Sequence, residues 1–79
     1  MNGQEMYRLA DEVMAGKLEM NDMIKDVKTI CSLRTFIIAC EILEFETKER
    51  RRHELEKLPK LLRPHVEKWV WEIWRTRNA

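Results

Sequence analysis

Four side chains in this sequence are of the kind that bind metals or attack substrates: Cys31, Cys40, His53 and His65. Zinc sites hold paired cysteines about two to four residues apart, so that one turn presents both to the ion. None of the four residues has that spacing. Cys31 and Cys40 are nine apart. At about 100° per residue they fall on opposite sides of a helix, where they cannot bridge. Nucleophilic catalysis needs a thiol or hydroxyl held against a base that a third group orients. Cys40 closes the longest uninterrupted apolar run, Phe36 to Cys40, a setting that suits a small core residue. His53 stands among charges. Gly3 and Gly16 are the only glycines, so no glycine-rich phosphate loop exists. Glu54 and Glu56 are two apart and face different sides of a helix. These patterns predict no catalytic centre, no metal and no cofactor.

Two other groupings point to binding. Lys48, Arg50, Arg51, Arg52, Lys57, Lys60 and Arg63 form a basic segment. Such a cluster can neutralise phosphates and release counterions, so nucleic acid is a possible partner. Glu49, Glu54 and Glu56 interrupt it and weaken its field. The second grouping is apolar. Leu33, Phe36, Ile37, Cys40 and Leu43 lie in a stretch, 33–45, that is apolar nearly all round, except along Arg34, Glu41 and Glu44. A helix apolar on most sides is a buried one. Trp71 stands apart, beside Glu67, Lys68 and Arg75. An exposed Trp on a small protein is a typical binding anchor.

The elements that carry these residues read as helices. The chain is 44% hydrophobic and 37% charged, with two glycines and two prolines. That favours helix over disorder. A first helix is predicted over about 3–15, with Asn2 as cap and Glu5 three residues on. Its apolar stripe is Met6, Leu9, Ala10, Val13 and Met14, and Gly16 is placed to end it in a left-handed turn. A second helix begins near Asn21, with Asp22 at its positive end. Nothing between Lys17 and Leu58 forces a turn, because neither Gly nor Pro occurs there. One reading is a single rod from about Asp22 to Lys57, within 21–57, roughly 54 Å long at 1.5 Å per residue. The other breaks it near Ser32 or Thr47. Ile24, Cys31, Ile38 and Phe45 share one seven-residue line, with Met23, Ile30 and Ile37 beside it, which favours continuity through Ser32. Glu46–Arg50, Arg50–Glu54 and Arg52–Glu56 would support a solvated stretch as pairs four apart. Leu58, Leu61 and Leu62 read as a packed turn. Pro64 opens a last helix over 64–76, with Val66, Trp69, Val70, Ile73 and Trp74 on its inner face.

The whole is predicted to be one all-α domain: a small three- to four-helix bundle with a long apolar central helix, forming a homodimer with 33–45 near the interface. A chain of 79 residues leaves much of its surface exposed and often needs a partner. Residues 1–46 carry net charge −4 and residues 47–79 carry +5, which suits pairing of copies or an anionic partner. No basic stretch leads into an apolar run at the start, so the expected location is the cytoplasm, with both thiols reduced. The Trp-rich tail reads as a core helix and not as a membrane anchor. The expected function is stoichiometric binding of another protein, as a regulator, adaptor or inhibitor of the kind that phages and mobile elements encode. The alternative is a nucleic-acid-binding regulator using residues 48–63.

Overall fold

The computed structural model describes residues 1–78, and within them it is all helical. Four α-helices follow in order: α1 (Gly3–Met14), α2 (Lys25–Leu43), α3 (Lys48–Glu56) and α4 (Arg63–Arg77). A single 3-10 turn, Met20–Asp22, lies between α1 and α2.

Helix α1 starts where expected. The Asn2 Oδ1 atom accepts the Glu5 backbone N–H at 2.9 Å, which satisfies one of the free donors at the helix start. It ends in a left-handed glycine turn. Gly16 has φ +79°, its N–H donates to Val13 O, and the Lys17 N–H donates to Glu12 O. Those two bonds close the last carbonyls of α1. The outer side of Gly16 is filled by Pro59: a Cβ on Gly16 would sit inside the contact distance of the proline ring. The end of α1 and the α3–α4 linker are therefore in direct contact.

Helix α2 departs from expectation at both ends. It begins at Lys25, because Asn21 and Asp22 are used in the 3-10 turn, which the Glu19 side chain caps at 3.4 Å. It runs unbroken through Ser32 and stops at Leu43. The rod over 21–57 does not form, and the break falls near Thr47. Thr47 Oγ1 accepts the Arg50 N–H at 3.1 Å and so starts α3. Arg51 Nη1 reaches back to Phe45 O at 2.7 Å and Glu46 O at 3.2 Å. Side chains thus end a helix that neither Gly nor Pro interrupts. Of the three predicted pairs, Arg50–Glu54 forms, loosely, at 3.9 Å. Lys57 takes the closer place on Glu54, at 2.8 Å.

The core is built from small residues. Ala10 and Val13 of α1, Val66 of α4 and Leu62 of the linker meet Val27, Cys31, Thr35, Ala39 and Ile42 of α2. The last five recur at three- and four-residue spacing, the inner stripe of a helix. The predicted line Ile24–Cys31–Ile38–Phe45 is only partly the buried one. Cys31 is fully enclosed, Ile38 and Phe45 are half-buried, and Ile24 is exposed. Narrow side chains at 31, 35 and 39 let α1 and α4 both approach α2, while Leu33 and Ile37 fall on its other face. Thr35, the one buried polar residue among the described residues, donates its hydroxyl within its own helix, to Cys31 O and Ser32 O. Leu61, expected to pack, is exposed, as is Trp74.

The Cα atoms span 41 × 25 × 17 Å with a radius of gyration of 13.2 Å. A globular chain of this length would have roughly 12 Å. The molecule is a slab, thin enough that α2 is covered on one side only.

Replacing Gly16 by Ala should destabilise the fold by about 2 kcal/mol or more, because it adds left-handed strain to a steric clash with Pro59. Urea denaturation reads this directly. An unchanged midpoint would show that neither constraint operates.

Candidate interaction surfaces

The uncovered side of α2 carries Ile30, Leu33, Ile37 and Cys40, spaced three, four and three. Leu33 is 60% exposed and Ile37 52%. Ile30 and Cys40 are half-buried on either side of them. Phe36 extends this strip toward α4, where its ring meets Trp69 edge to face, with centroids 5.1 Å apart. A shallow cavity of about 330 Å³ is lined by Leu33, Phe36 and Trp69. A second, of about 440 Å³, continues past Phe36 and Trp69 to Ile73. Leu33, Phe36, Trp69 and Ile73 thus form one apolar strip across two helices. Single exposed apolar side chains are ordinary on a protein surface; a connected strip is not.

The six residues singled out as an interface divide between places. Leu33, Phe36 and Ile37 lie on the strip. Cys40 is half-buried at the end of the strip, and Leu43 is half-buried beside it. Trp71 belongs elsewhere. It is 60% exposed and stacks on Trp74, with centroids 5.9 Å apart and 13° between planes. Two residues after Trp69, it faces the opposite side of α4. Spacing alone assigned Trp69 to the core and Trp74 to the inner face. The contact of Trp69 with Phe36 is long-range, and no local signal marks it.

The basic residues also separate. Arg50 lies over the Phe45 ring, 4.7 Å from its centroid. Arg50 and Lys57 both turn to Glu54, whose carboxyl is held below the usual range, chiefly by the Lys57 hydrogen bond. Arg51 ties the α2–α3 turn. Arg63 Nη2 donates to Glu56 O at 3.1 Å and Leu58 O at 3.3 Å, tying the α3–α4 turn. Lys48, Arg51, Arg52 and Arg63 line one groove of about 440 Å³ between α3 and α4. Lys60 is exposed outside it.

One polar contact was not foreseen from the sequence. His65 Nε2 lies 2.7 Å from Glu19 Oε1 and joins the loop after α1 to α4. This hydrogen bond holds the Glu19 carboxyl below its ordinary range, against an opposing effect of burial. Beside it is a cavity of about 350 Å³ that Ser32, His65 and Trp69 help to line. Ser32 makes no side-chain hydrogen bond to His65 among the described residues, so hydroxyl, imidazole and carboxylate do not form a relay. Cys31 is enclosed, and burial pushes its thiol pKa up. Among the described residues no three His, Cys, Asp or Glu side chains gather as a metal site, and no helix is long and apolar enough to cross a membrane. No family model, curated protein or solved structure matches the chain.

The Glu19–His65 contact sets a pH dependence. A carboxyl whose pKa is lower folded than unfolded contributes stability above its unfolded pKa, and that stability is lost as pH falls through the folded value. His65→Ala should cost about 1 kcal/mol at neutral pH. Glu19→Gln should flatten the acid side of a stability profile measured by urea denaturation. A Glu19→Gln profile parallel to the parent's would remove the contact from the account.

Proposed function

We propose that the protein is not an enzyme and works by stoichiometric association with other polypeptide chains, the first of them a second copy of itself. The observation that carries this is the exposure of Leu33, Phe36 and Ile37 on the outer face of α2. Fully burying such a side chain stabilises by about 1.5–3 kcal/mol, and a monomer of this shape gains only part of that at these three positions. The spacing of Ile30, Leu33, Ile37 and Cys40 is that of a short helix-pairing seam. Opposed helices would align their dipoles favourably, so the pair is taken as antiparallel. Trp71 and Trp74, on the far side of α4, remain free to anchor a different protein as regulator, adaptor or inhibitor. Two free thiols suit the reducing cytoplasm.

The rival reading is a nucleic-acid-binding regulator that uses residues 48–63. It is the weaker one, because Arg50 and Lys57 are engaged with Glu54, and Glu49, Glu54 and Glu56 interleave the basic side chains. A labelled duplex or RNA that is bound, and released steeply as salt rises, would reinstate it.

Sedimentation over a range of concentrations tests the favoured reading. The parent chain should pass from monomer to dimer, and Leu33→Glu or Ile37→Glu should hold it as a monomer with an unchanged circular dichroism spectrum. Trp71→Ala should leave self-association untouched. A parent chain that stays monomeric at high concentration would end the proposal.

A further inference from the structure

The groove between α3 and α4 combines two features. Its floor holds Leu55 and Val70, both half-buried. Its walls bring Lys48, Arg51, Arg52 and Arg63 together. Among the described residues none of these four has a carboxylate within ion-pair distance, whereas Lys57, just past the end of α3, pairs with Glu54 at 2.8 Å and Arg50 approaches it at 3.9 Å. The carbonyls that hold Arg51 and Arg63 fix the positions of two guanidinium groups and leave their charge uncompensated. Arg63 Nε is enclosed and has no hydrogen-bond partner. Cations fixed in advance lose little side-chain entropy when an anion arrives.

We infer that this groove binds an acidic polypeptide segment, an apolar side chain resting on Leu55 and Val70 with flanking carboxylates against Lys48, Arg51, Arg52 and Arg63. The inference rests on reading the protein as a binder of polypeptides, and it supplies the chemistry of a partner other than a second copy. Nucleic acid fits the same place less well. The floor is aliphatic and offers no aromatic face on which a base could stack. Glu56 and Glu67 also line the groove, where a continuous phosphate backbone would meet them. A peptide can place its carboxylates between them.

The probe is a short fluorescein-labelled peptide with one leucine flanked by glutamates, titrated by fluorescence polarisation into the full chain. It should bind. Its glutamine counterpart should bind about tenfold more weakly or not at all, as should the acidic peptide to a Lys48→Glu, Arg52→Glu double variant. Both substituted residues are exposed, and circular dichroism of the variant checks that the fold survives. Lys60→Glu makes the same kind of charge change outside the groove and should leave affinity unchanged. Leu33→Glu should also leave it unchanged, so failure of self-association and failure of the groove are read separately. Equal binding of the acidic and glutamine peptides, no binding of either, or tighter binding of a single-stranded oligonucleotide than of the peptide would each overturn the inference.

Discussion

The packing of two helices against one narrow line of α2 is the constraint from which the rest follows. Cys31, Thr35 and Ala39 are fully enclosed, and none is large. Because they are small, α1 and α4 both come close to α2, and the interior fills without a single buried aromatic ring. A small interior is also a weak one. About 25 cal/mol for each Å² of apolar area removed from water is the main return on folding, and this chain places much of its apolar area at the surface. The same residue choice that lets the helices meet therefore leaves Leu33, Phe36 and Ile37 outside.

Polar contacts complete what the interior begins, and they gather at turns. Asn2 and Thr47 start helices, and Gly16 ends one against Pro59. Arg51 and Arg63 each bind two carbonyls at a turn that lacks regular structure. Arg34 reaches Asp11 at 2.6 Å and lies over Tyr7, joining α2 to α1. Glu19 and His65 join the α1–α2 loop to α4. Basic side chains that composition alone would assign to solvent or to phosphate thus act partly as staples of the chain's own backbone.

What was legible in the sequence was local. The helical class, the cap at Asn2, the stripe of α1, the turn at Gly16 and the start of α4 near Pro64 all rest on signals within a few residues. The break near Thr47 was legible only as one option, because a threonine cap and an arginine reaching back to carbonyls leave no mark as strong as Gly or Pro. The buried line of α2 was misjudged for a related reason. Periodicity weighs large apolar residues most, and this interior selects the small ones. The Phe36–Trp69 strip and the Glu19–His65 pair join residues far apart in the chain, so they had no signature before the helices were placed. Of the proposed interface residues, Leu33, Phe36, Ile37 and Trp71 were identifiable as surplus apolar groups, but not the division that places Trp71 on a different surface.

Helix α3 buries none of its side chains fully, and arginines at the turns on either side of it hold it in place. In a native protein the parts with least enclosed apolar area open first, at a free energy well below that of global unfolding. Residues 48–56 are therefore the part of the helical body with the least enclosed area to hold it closed. Their amide protons would exchange with solvent ahead of those of the central helix, and a protease would cut there before it cut elsewhere in the helical body.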